Sequence, residues 1–94
     1  MTWRVKIKRD GNEAAIVKAL RAQGYAVQPL EQGKGCPDLL VFGWGKRDGP
    51  RRYWLLEVKI PGEPLTSAQV AWHAAWPGRV AVVHSPDEAL EAVR

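Results

Sequence analysis

Tyr53-Trp-Leu-Leu-Glu-Val-Lys-Ile60 is an apolar run broken by charge at two positions, Glu57 and Lys59. Side chains two apart on a strand share a face. Leu55, Glu57 and Lys59 therefore project one way, and Leu56, Val58 and Ile60 the other. Ionised groups in so apolar a strand are costly unless they are paired or bind a metal. The strand is read as Arg52–Ile60, with Pro61-Gly62 ending it. Upstream, Leu39-Leu-Val-Phe42 is a second apolar run, the pattern of a central strand covered on both faces. Asp38 stands directly before it.

Outward from these two strands the elements alternate. Trp3, Val5 and Ile7 alternate with Arg4, Lys6 and Lys8, which predicts a short first strand with a basic face. Asp10-Gly-Asn12 opens a helix to about Gln23, stopped by Gly24, with Ile16 and Leu20 on its buried side. Tyr25–Val27 is strand-like and ends at Pro29, and Gly33-Lys-Gly35 is a turn. Gly43–Pro50 reads as a loop between the two apolar strands. Thr66-Ser-Ala-Gln69 is a capping box that opens a helix to about Trp76. Arg79–His84 is a short strand, and Ser85-Pro-Asp-Glu88 begins a last helix. The order (β)αβββαβα predicts an α/β or α+β layer, a small mixed sheet flanked by helices.

The 94 residues, 46% hydrophobic and 26% charged, fit one domain spanning 1–94. No apolar run approaches the roughly 18 residues of a membrane span. Met1–Arg9 has no apolar core segment, so no signal peptide and a cytoplasmic setting are expected. One cysteine, Cys36, excludes an internal disulfide and a multi-cysteine zinc site, and its expected role is that of a small buried filler. The net charge of +4 is unevenly spread: residues 1–59 carry twelve Lys/Arg against six Asp/Glu, and residues 60–94 two against four. Such asymmetry suits a polyanionic partner such as nucleic acid. Arg4, Lys6, Lys8 and Arg9 form one basic cluster, and Lys46, Arg47, Arg51 and Arg52 another, with Trp44 beside the second; Lys6, Lys8, Arg9, Trp44 and the second cluster are the candidate nucleic-acid contacts.

Pro37-Asp38, eighteen intervening residues and Glu57-Val-Lys59 form a Pro-Asp…Glu-x-Lys pattern. Asn12-Glu13 precedes it on the first helix, and Leu65-Thr-Ser-Ala-Gln-Val-Ala-Trp-His73 follows it. In this order the landmarks resemble the virus-type replication–repair nuclease (VRR-NUC) domain of the PD-(D/E)xK, restriction-endonuclease-like superfamily, from about Asn12 to Val93. The resemblance implies a restriction-endonuclease-like core and a Mg²⁺- or Mn²⁺-dependent endonuclease hydrolysing DNA phosphodiesters. It implies that Asp38, Glu57 and the Val58 carbonyl hold metal, that Glu13 binds a second ion or orders a water, and that Lys59 holds or activates the attacking water. Gln69 would face the same site, although its capping partnership with Thr66 is a complete structural alternative. The family's short members further imply a homodimer acting on branched DNA, of the Holliday-junction type, in a bacterial or phage-infected cell. No organic cofactor and no membrane are expected.

The residues alone leave other readings open. Asp38 can be a turn residue after proline, Glu57 and Lys59 a surface pair, and Glu13 a first-turn acid favoured by the helix dipole. His73 and His84 read as packing or surface residues, and Trp72 and Trp76 as core or dimer packing. In function, the alternatives are a catalytically silent nuclease fold that only binds DNA, and a small adaptor that uses its tryptophans.

Overall fold

The computed structural model describes residues 3–31, 33–44 and 49–94, residues 3–10 by their backbone. Three helices and four strands follow the order α1 (Trp3–Ala22), β1 (Ala26–Pro29), β2 (Leu39–Trp44), β3 (Arg51–Val58), α2 (Ser67–Ala75), β4 (Val80–Val83) and α3 (Pro86–Ala92). The fold is a small α+β layer with a mixed sheet. The predicted first strand is absent: residues 3–10 continue α1 toward its N-terminus, so the order is αβββαβα. Three apolar residues at period two are a short signal. The Lys and Arg between them are good helix formers, and extending an existing helix needs no new nucleus.

Helix α1 ends as the sequence predicts. Gly24 adopts φ +89°. The Tyr25 N–H donates to the Leu20 carbonyl at 3.1 Å and the Gly24 N–H to that of Arg21 at 3.0 Å. This is the Schellman closure that a left-handed glycine permits. Helices α2 and α3 are capped by Thr66 and Ser85, whose hydroxyls accept the N–H groups of Gln69 and Glu88.

The sheet order is β1-β2-β3-β4. The first three strands are antiparallel, with Val27 opposite Val41 and Leu39 opposite Leu56. Strand β4 is parallel to β3, with Leu55 beside Val80, and α2 lies in the connection between them. One sheet face carries Val27, Leu39, Val41, Leu56, Val58 and Val83, which pack with Ile16 and Leu20 of α1 and with Ala89 of α3 and Val93 beyond it. The Tyr25 ring meets Trp54 edge-on at 5.8 Å, and its hydroxyl donates to the Val93 carbonyl at 3.1 Å.

The other face is covered only in part. Phe42 is 45% exposed and Tyr53 58%, so the run Leu39–Phe42 is not sheltered on both sides as expected. The buried end of that face is where Glu57 and Lys59 project. Strand β3 also stops earlier than predicted, at Val58, although the Lys59 N–H still donates to the Val83 carbonyl at 3.0 Å.

Candidate functional site

The antiparallel register brings the start of β2 level with the end of β3. The Asp38 N–H donates to the Leu56 carbonyl at 3.0 Å, and Asp38 Oδ2 accepts the Val58 N–H at 2.7 Å. The Asp38 carboxylate is thereby fixed against the peptide that joins Glu57 to Lys59. Cys36 senses the same convergence: burial, then the Glu57 and Asp38 carboxylates, push its thiol pKa up, which keeps it protonated.

Glu57 is wholly buried and Lys59 is 1% exposed, which removes the surface-pair reading. A buried carboxylate must find donors, and helix α2 supplies them. Gln69 Nε2 donates to Glu57 Oε2 at 3.3 Å, and His73 Nε2 lies 3.1 Å from Glu57 Oε1. Burial, then the Lys59 ammonium, lowers the His73 pKa and favours neutral imidazole. An ionised Glu57 can only accept, so the hydrogen of that contact sits on Nε2. Lys59 Nζ stands 3.7 Å from Glu63 Oε2, while Glu63 Oε1 accepts the Ile60 N–H at 3.1 Å.

The two readings of Gln69 turn out to be compatible. Its Oε1 accepts the Thr66 N–H at 2.8 Å and its N–H donates to Thr66 Oγ1 at 3.2 Å, which completes the capping box. Its Nε2 remains for Glu57. One side chain thus starts α2 and ties that start to the buried carboxylate. Gln69→Ala is expected to lower stability by about 1–3 kcal/mol, since two hydrogen bonds go and one acceptor is a buried charge. For a chain this size each kcal/mol moves Tm by roughly 4–8 °C. A thermal melt by circular dichroism that matches wild type would refute the double engagement.

Glu13 is placed differently from the expectation. With α1 extended, it lies in the helix interior rather than in its first turn. It is half-buried and lines a shallow cavity with Val17, Arg21 and Pro29, a cavity that Asp38, Glu57 and Lys59 do not share. Its neighbour Asn12 reaches across instead, donating to the carbonyls of Lys59 at 3.3 Å and His84 at 3.4 Å. Asn12 therefore pins the exit of β3 to that of β4.

His73, which the sequence alone reads as a packing or surface residue, is joined to Glu57 in the structure. The available signal was its spacing: four residues after Gln69, it occupies the same helix face. Trp72 and Trp76 stack on each other at 5.2 Å, in line with a packing role.

Arg51 and Arg52 lie at the other end of the β2–β3 ladder. Trp44 is the register partner of Arg51, whose guanidinium sits 4.4 Å from the indole ring centre. Arg52 stands 5.5 Å from the ring centre of Trp54. Lys46 and Arg47 fall outside the described residues, and Lys6, Lys8 and Arg9 lie on the N-terminal half of α1. From Glu57 to Arg51 is six residues, about 20 Å of strand.

The donors at the site are oxygen atoms: the Asp38 and Glu57 carboxylates and the Val58 carbonyl. That set suits a hard cation such as Mg²⁺, which commonly takes one or two carboxylates and keeps several waters. Among the described residues no three His, Cys, Asp or Glu side chains are grouped so as to hold a metal ion, so the candidate site offers two carboxylates and a backbone carbonyl. Also among the described residues, no helix is long and apolar enough to cross a membrane. No family model, curated protein or solved structure matches this chain.

Proposed function

We propose that the chain is a divalent-metal-dependent endonuclease with a restriction-endonuclease-like core, cutting DNA phosphodiesters by structure rather than sequence. One observation carries the reading: Asp38, Glu57 and Lys59 lie at one end of the β2–β3 ladder, with Asp38 bonded to the Val58 N–H between the other two, which are buried in an otherwise apolar strand. Burying this carboxylate and ammonium for stability alone is a poor use of the core, since apolar replacements of buried ion pairs are often neutral or stabilising.

Asp38 and Glu57, with the Val58 carbonyl, would hold Mg²⁺ or Mn²⁺. The cation supplies Lewis-acid stabilisation of charge and a more acidic bound water. The chain's own residues do the rest. Gln69 and His73 fix the rotamer of Glu57, the Val58 N–H fixes Asp38, and Lys59 presents its ammonium to the attacking water and the phosphate. Trp44, Arg51 and Arg52, with Lys6, Lys8, Arg9, Lys46 and Arg47, would hold the DNA backbone, which positions a scissile bond without reading bases. No recognition helix or zinc finger is present among the described elements, which favours branched DNA recognised by shape. A twofold dimer would supply two cutting sites.

A second reading has its own observation. Both Glu57 oxygens are engaged by α2, the arrangement expected of a nuclease fold that keeps its architecture and only binds DNA. A cleavage panel separates the two: four-way junction, flap, fork, duplex and single strand, each with Mg²⁺, Mn²⁺ or EDTA. The nuclease reading expects cutting of the branched substrates in either metal and none in EDTA. Salt-sensitive binding without cleavage in any divalent ion leaves the binding module.

A further inference from the structure

Strand β3 outruns β4. Val80, the first residue of β4, pairs with Leu55, so Arg51–Trp54 have no strand beside them on that side among the described residues. The step leaves a notch of about 470 Å³ lined by Arg51, Arg52 and Arg79, with Tyr53, Trp54 and Ala81 as its walls. Arg79 comes from the acidic half of the chain, where the sequence gives no basic cluster. Three arginines line one cavity, and among the described residues none of them forms an ion pair. Glu91, next to the lining residue Ala92, is taken by Arg94 at 3.6 Å. Like charges gathered without a counter-charge repel, and an anion relieves them. The Arg52 guanidinium carbon stands 5.5 Å from the Trp54 ring centre, and a guanidinium's planar fork suits a bidentate oxyanion.

We infer that this notch binds a backbone phosphate of the DNA, away from the carboxylates. The assignment of DNA as the source of that phosphate rests on the proposed function. At about 20 Å along β3 from Glu57, with 3.4 Å of rise per base pair, the held phosphate lies roughly six base pairs from the cut. Arg79 becomes a determinant of where on a DNA arm the protein sits.

The test uses wild type, Arg52→Ala and Arg79→Ala, all exposed positions where folding is not at stake. Fluorescence anisotropy of a labelled four-way junction in EDTA is followed against NaCl, and side-chain Arg N–H signals are followed by NMR during a pyrophosphate titration. Each variant is expected to lower the slope of log affinity on log salt by about 0.9. Pyrophosphate is expected to shift the Arg52 and Arg79 signals of wild type. Wild-type slopes in both variants overturn the notch while leaving DNA binding intact. Pyrophosphate shifts without any DNA affinity overturn the DNA assignment. Reduced slopes in a protein that never cuts DNA support the notch and sink the nuclease reading.

Discussion

Lys59→Met is expected to lower DNA cleavage by about 10²–10⁴-fold, the usual contribution of a positioned group that handles a proton or balances charge. DNA affinity should change little, because the Lys59 side chain is buried and the exposed Arg51 and Arg52 stand at the far end of the ladder. Methionine keeps the length of the aliphatic stem in the 1%-exposed slot, so packing is conserved while the charge is removed. Alanine would add a cavity and confuse the two effects. The backbone bond from the Lys59 N–H to the Val83 carbonyl survives either change. Asp38→Asn is the companion variant: it keeps an acceptor for the Val58 N–H and loses the charge. Single-turnover cleavage and anisotropy, measured on samples with matched circular dichroism, separate chemistry from binding. Wild-type cutting by both variants would end the catalytic assignment.

Among Gly11, Gly24, Gly33, Gly35, Gly43, Gly62 and Gly78, Gly35 is expected to be the one where an added methyl disrupts most. Gly35 holds φ +82°, and a Cβ there would overlap the Ala68 carbonyl oxygen and lie 2.6 Å from its carbon. Both opposing atoms are backbone in the first turn of α2, so no side chain can rotate away. The left-handed conformation costs a non-glycine residue roughly 1–2 kcal/mol and overpacking a further 1–3 kcal/mol. Together these amount to about 2–5 kcal/mol, or a Tm lowered by roughly 8–40 °C. If the fold survives by shifting α2, Gln69 and His73 leave Glu57, and cleavage should fall further than the loss of folded protein explains. A melt indistinguishable from wild type would mean that the loop before β2 does not seat α2.

What could be read in advance was whatever depends on neighbours in sequence. The capping box at Thr66–Gln69, the Ser85-Pro86 start and the Gly24 stop are local hydrogen-bond signals, and each appears where expected. The shared face of Glu57 and Lys59 follows from strand period alone. The misreadings arise where a distant element decides. The alternation at Trp3–Lys8 lost to propagation of α1. Phe42 stayed exposed because α1 and α3 pack on the opposite side of the sheet. His73 joins Glu57 only because the crossover between β3 and the parallel β4 lays α2 over that end of the sheet, and no local pattern states where a crossover lands.

The length of the paired strands β2 and β3 also bears on how such a protein could diversify. The end that carries the carboxylates and the connection at the other end are kept apart by a ladder whose register is fixed by core packing. Lengthening or recharging that connection would leave the carboxylates undisturbed. What is bound at one end could then drift through insertions there while the carboxylates at the other end stay in place, a division of labour held within these 94 residues.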